Sequence, residues 1–233
     1  MIRAAWVMAL KDLRLVAFRG TAFVQALLLG LVLTVLFSLS LEGRGRAEPG
    51  MAAVMFWVSS AFCQVLIFNA LFALEEPGKA RLGLLLAPVA RQAIWLGKAL
   101  AGMVLLLAVQ AALAVSSVVF LGQSWLASPA MAFAVVVLVD GGAVALGVLL
   151  GAVAQGQATR ESLCSILLFP LQVPLFLAGL RILGVLFGLD AAETVPAGVV
   201  TELMRWLGFV AAFDAMFIAA ALVLFPFIYG GEG

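Results

Sequence analysis

Apolar and polar stretches alternate along this chain in long blocks. The apolar blocks are Thr21–Leu41, Met51–Ala73, Ala99–Leu121, Ala130–Val153, Ser162–Leu180 and Trp206–Tyr229. Each approaches or exceeds the roughly 18 residues a helix needs to cross about 30 Å of hydrocarbon. The polar blocks between them are short: Glu42–Gly50 (EGRGRAEPG), Gly122–Pro129 (GQSWLASP) and Ala154–Glu161 (AQGQATRE). The pattern predicts an all-α polytopic membrane protein, residues 1–233 forming a single transmembrane domain with six transmembrane helices.

Two segments depart from the alternation. Residues 1–19 place Arg3, Lys11, Arg14 and Arg19 among apolar residues. On a helical wheel Trp6, Ala9, Leu10, Leu13, Val16 and Ala17 share a face, and Lys11, Asp12 and Arg19 lie opposite. That predicts an interfacial helix whose basic side is wet. Charges spread through residues 3–19 leave no early apolar core, so a cleaved signal peptide is disfavoured. Residues 181–205 carry Gly184, Gly188, Asp190, Glu193 and Pro196. These read as an outer-surface segment, with a short helix opened at Pro196.

The interior segment Leu74–Lys98 gathers Glu75, Glu76, Lys79, Arg81, Arg91 and Lys98 around a short apolar patch, Leu82–Val89, closed by Pro88. An apolar patch held in water marks a docking surface. An interfacial helix under the headgroups is the other reading. With the N-terminus inside, nine Lys and Arg fall on inner segments and four on outer ones. The positive-inside bias therefore puts both termini and residues 74–98 in the cytoplasm.

Composition sharpens the class. Hydrophobic residues make up 66% and charged residues 11%, and mean hydropathy is +1.24. A soluble domain has about 45–50% apolar residues. Net charge is +1, which gives no ground for a nucleic-acid partner. There is no histidine, so an imidazole ligand or base is excluded. Cys63 and Cys164 sit in separate apolar runs without metal-site spacing and read as small packing residues. No phosphate-binding G-x-x-x-x-G-K-[ST] occurs. The chain is expected not to be an enzyme, and any ATP it uses is expected on another subunit.

Three features inside the spans could carry function. Asp140 and Asp214 lie about 15 Å and 12 Å into the fourth and sixth spans at 1.5 Å per residue. Acids at such depth are costly and point to function, as proton-linked groups or polar contacts; a protonated carboxyl bonding across helices is the structural reading. Ala143, Gly147 and Gly151 form a small-residue stripe beside Asp140, which lets a neighbouring helix approach closely. Pro170 and Pro174 each remove an N–H and free a carbonyl, predicting a broken or kinked fifth span. Gln172 is the candidate partner for those carbonyls.

The chain resembles the haem exporter protein B family, membrane subunits of an ABC transporter in cytochrome c maturation. The resemblance is carried by KDLRLVAFR at Lys11–Arg19, ALE at Ala73–Glu75, LLLAP at Leu84–Pro88 with Lys98 following, and above all SILLFPLQVPLFLAG at Ser165–Gly179. It covers nearly the whole chain. It implies an ABC-2-type permease-like fold in the bacterial inner membrane. It implies a cytoplasmic ABC ATPase carrying ATP-Mg, gripping Glu75, Glu76, Leu82, Leu84, Leu85, Leu86 and Pro88. It also implies a haem-handling membrane protein and a periplasmic haem chaperone, with haem held by a partner and no cofactor bound directly. A homodimer within the complex is compatible with it. The coupled step would be haem export or release of a haem-loaded chaperone. Three other readings stay open: an ABC-2-type exporter of lipid, drug or polysaccharide, a non-transporting scaffold, and a proton-coupled carrier using Asp140 and Asp214.

Overall fold

The structure, a computed structural model, describes residues 1–19, 21–41, 46–73, 83, 84, 86, 88–123, 129–154, 160–188 and 197–230. Glu75, Glu76, Leu82 and Leu85 lie outside these. The described residues form seven long helices: α1 (Ile2–Arg19), α2 (Thr21–Ser40), α3 (Pro49–Ala73), α4 (Arg91–Leu121), α5 (Pro129–Ala154), α6 (Arg160–Gly188) and α7 (Ala197–Gly230). The last six are long and apolar enough to cross a membrane. This is the all-α, six-span architecture the alternation predicts.

Several helices outrun their apolar blocks. α4 begins at Arg91, after Ala90 in extended conformation, so Arg91 and Lys98 belong to the helix and not to a loop. It ends where Gly122 turns left-handed, φ 66° and ψ 26°, the conformation glycine adopts at a helix terminus without a Cβ clash. The outer segment expected at 181–205 does not form as one element. Its first part, Arg181–Gly188, continues α6, and Ala197–Arg205 makes the opening turns of α7. Glycines there lower helix propensity by only about 1 kcal/mol each, which packing overrides.

Consecutive spans run antiparallel, so the bundle has two distinct ends. At one end the C-terminus of α3 meets the N-terminus of α4, where Lys98 Nζ donates to the Leu71 carbonyl at 3.1 Å. The end of α7 joins them through Arg91 Nη1, which donates to the Pro226 carbonyl at 2.9 Å. α1, Leu84 and Val89 pack at this end. At the other end Ser38 Oγ donates to the Phe120 carbonyl at 2.8 Å and the Ala47 N–H to the Leu121 carbonyl at 3.0 Å. Gln123 Nε2 donates to Ala47 and Leu121 carbonyls at 2.9 and 2.8 Å, which closes α4 against the start of α3.

α3 and α5 are the central helices. Phe68 and Phe72 of α3 are fully buried. A Cβ on Gly102 or on Gly147 would lie 2.5 Å from the Phe68 ring, so that ring is clasped between glycines of α4 and α5. Gly151 makes the same room for Phe72. Of the Ala143, Gly147 and Gly151 stripe, Gly147 and Gly151 therefore receive aromatic rings of α3. By contrast α2 buries only Ala26, Gly30 and Thr34 and turns Val24, Leu28, Val32, Leu36 and Leu39 outward. Cys63 fills the α2 contact, its thiol 3.1 Å from the Ala26 carbonyl.

α1 buries a different face from the one its helical wheel predicts. Its buried face is Ala5, Ala9, Asp12 and Val16, while Trp6 is exposed. A Cβ on Gly97 would stand 2.7 Å from Met8 Cβ and 2.9 Å from the Ala5 carbonyl, so α1 lies directly on the opening turns of α4. Asp12, expected in water, is 1% exposed because a cation from α4 meets it there.

Candidate functional site

The middle of α5 gathers polar contacts from four other spans within four residues, Asp140–Ala143. Asp140 faces α4, where Gln110 Nε2 donates to its Oδ1 at 3.0 Å. Gly142 faces α7, and its backbone N–H donates to Asp214 Oδ1 at 2.9 Å. The Ala143 carbonyl accepts from Gln64 of α3 at 2.7 Å and from Gln172 of α6 at 3.4 Å. Asp140, Gln64, Gln110 and Gln172 are all but fully buried, and Asp214 is 7% exposed. Pairing of buried polar groups inside the protein is favoured in hydrocarbon, although Asp140 Oδ2, Gln110 Oε1 and Gln172 Oε1 accept no hydrogen bond among the described residues. A helix that supplies several partners at one level becomes the hub to which the others are tied.

The local sequence explains why the hub sits here. Gly141 and Gly142 follow Asp140 directly, and without Cβ atoms they let a carboxylate reach the α5 backbone. A Cβ on Gly141 would lie 3.2 Å from Asp214 Oδ2, and one on Gly142 would collide with Asp214 Oδ1 and stand 2.9 Å from Leu175. Asp140 and Asp214 thus address two sides of one short stretch. Each makes a defined hydrogen bond across helices.

Pro170 and Pro174 lie on α6, which is helical throughout Arg160–Gly188, so of the break or kink expected the break does not occur. Gln172 turns to the Ala143 carbonyl. Around the prolines α6 is gripped by aromatic rings of α3. Phe62 meets Phe169 edge-on at 5.2 Å, and Trp57 stacks on Phe176 at 5.8 Å. The Trp57 indole occupies the space over Gly179, where a Cβ would be 2.8 Å away.

At the end of the bundle that carries α1, the apolar patch is described in part. Leu86 is 86% exposed and Pro88 is exposed. Leu84 and Val89 pack partly against the core. The patch thus has an inner side that anchors it and an outer side that stays open. At the same end Asp12 is paired twice: buried Lys98 Nζ stands 3.6 Å from its Oδ2, and the partly exposed Lys11 Nζ stands 3.0 Å from its Oδ1.

Asp140, Asp214 and the stripe stand out in the sequence, but their partners do not. Gln64 and Gln110 had one available signal, an amide in the middle of an apolar run. Gly141 and Gly142 had another, a glycine pair directly after an intramembrane acid. The Asp12–Lys98 pair had none, since nothing local links the two positions. Among the described residues no cluster of Cys, Asp or Glu has the spacing to hold a metal.

Compared with known families, the chain matches the family described as CcmB protein over residues 3–230. No curated protein matches it significantly.

Proposed function

The chain belongs to the CcmB family, and we propose that it works as the permease through which a separate ATPase drives the haem exporter of cytochrome c maturation. Membership makes it a multi-pass membrane subunit of that exporter. The finer reading is that a cytoplasmic ATP-binding subunit docks on the apolar patch around residues 82–89. Nucleotide-driven movement there passes through the bundle and releases a haem-loaded chaperone on the other side. The observation that carries this reading is the shape of the patch, with Leu86 open and Leu84 and Val89 seated on the core. A surface that is apolar, exposed and mechanically anchored can both bind a partner and transmit its push.

Charge supports the orientation. The end bearing the patch also carries Arg3, Lys11, Arg14, Arg91 and Lys98, against Arg46, Arg181 and Arg205 at the other end. The positive-inside bias favours a cytoplasmic position for the patch, where ATP is, and the membrane proposed is the bacterial inner membrane. Haem is assigned to a partner. The chain has no histidine, and Cys63 and Tyr229 are buried among packed side chains.

Leu86→Asp tests the docking step without disturbing the core. It is expected to leave the purified chain folded and to abolish co-purification of the exporter's ATP-binding subunit. Undiminished co-purification would reject the patch as the docking site.

A further inference from the structure

Lys98 stands where three elements meet. Its Nζ lies 3.6 Å from Asp12 Oδ2 of α1 and 4.5 Å from the centre of the Phe72 ring of α3. It donates to the Leu71 carbonyl at 3.1 Å. Leu71 is in the last turn of α3, where carbonyls lack an intrahelical donor and the helix dipole favours a cation. Lys98 therefore caps α3, pairs with α1 and belongs to α4 at once. α3 and α4 are the helices that flank residues 74–90, the segment that bears the apolar patch.

The chemistry is expensive for a device that only stabilises. Lys98 and Asp12 are each 1% exposed. Desolvating such a pair can cost as much as its attraction returns, and apolar residues of similar size often hold as well or better. What an ion pair adds is register. It is satisfied in one geometry and costly in any that separates the charges. Here that geometry fixes α1 to both flanks of the patch.

We propose that Lys98 is a positioning residue that locks α1 and the facing ends of α3 and α4 into one rigid body, so that force applied to the patch moves α1 with it. This rests on the proposed ATPase-driven function for its biological sense, while the lock itself is a property of the chain alone. An apolar replacement of the pair would leave α1 packed on α4 but let it slide there, because no charge pair fixes its register, and would free the end of α3.

The test uses the full chain in nanodiscs with its ATP-binding subunit, in a Cys63→Ser/Cys164→Ser background. Spin labels go on the exposed positions Val7 of α1 and Val104 of α4. The lock predicts a single narrow distance, unchanged on adding ATP-Mg. Lys98→Arg, which can hold both oxygen partners, should preserve it. Asp12→Leu/Lys98→Met should stay folded and retain the ATPase, yet lose the single narrow distance and gain an ATP-dependent shift. A narrow, nucleotide-insensitive distance in that double variant would overturn the proposal and leave the pair a packing feature. Loss of the ATPase from the unaltered chain is a different result and would reject the function proposed above. Nucleotide-free spectra of the two chains would still show whether the lock exists.

Discussion

Gly142 is a position where a single methyl group would meet atoms of two neighbouring helices. Its added Cβ would collide with Asp214 and press on Leu175. Overpacking of this kind costs about 1–3 kcal/mol. Gly142→Ala should therefore lower the thermal stability of the detergent-solubilised protein. The loss should shrink in an Asp214→Ala background, because contacting residues couple by about 0.5–3 kcal/mol. Equal losses in both backgrounds would mean that the carboxylate is not what fills the space. The two acids themselves are predicted to act as acceptors. Asp140→Asn and Asp214→Asn keep an oxygen for Gln110 and for the Gly142 N–H, so both variants should retain export. A proton-coupled carrier would lose it with either change, so a transport assay separates the readings.

Among the helices, α3 and α5 depend on fitted rings. Phe68 sits between Gly102 and Gly147 with no exposure. Phe68→Ala would leave a cavity clasped by glycines that have no side chain to fill it. Such truncations cost about 3–5 kcal/mol, and a marked fall in unfolding temperature is expected. Leu86→Asp at the exposed edge should cause none.

The helices were largely legible because apolar length alone predicts a span, and six were read within a few residues at most boundaries. The exceptions have physical reasons. Arg91 and Lys98 read as loop residues because they are charged, but Lys98 is buried against Asp12 and Leu71 and continues α4. Asp12 read as water-facing for the same reason, which turned the α1 wheel away from its true face. Arg181–Gly188 read as surface because of its glycines, yet Gly184 packs with a Cβ site 3.5 Å from Gly50. In each case a partner distant in sequence decided the outcome. The polar hub was half legible. Asp140 and Asp214 stand out in any apolar run, but which amide meets which acid depends on helix rotation, and that is set by the ring-and-glycine packing.

Taken together, the molecule is a bundle tied at two levels. The hub at Asp140–Ala143 joins five spans in the middle of the membrane, and the Asp12–Lys98 junction joins α1, α3 and α4 at the basic end. A push on residues 82–89 would meet the junction first and the hub next, through α3 and α4. This account requires the basic end to face the compartment that holds ATP. A photo-crosslinking residue at position 86, whose side chain is 86% exposed, can be tested in native membranes. The account predicts a crosslink to the exporter's ATP-binding subunit. A crosslink only to proteins on the opposite side of the membrane would contradict it.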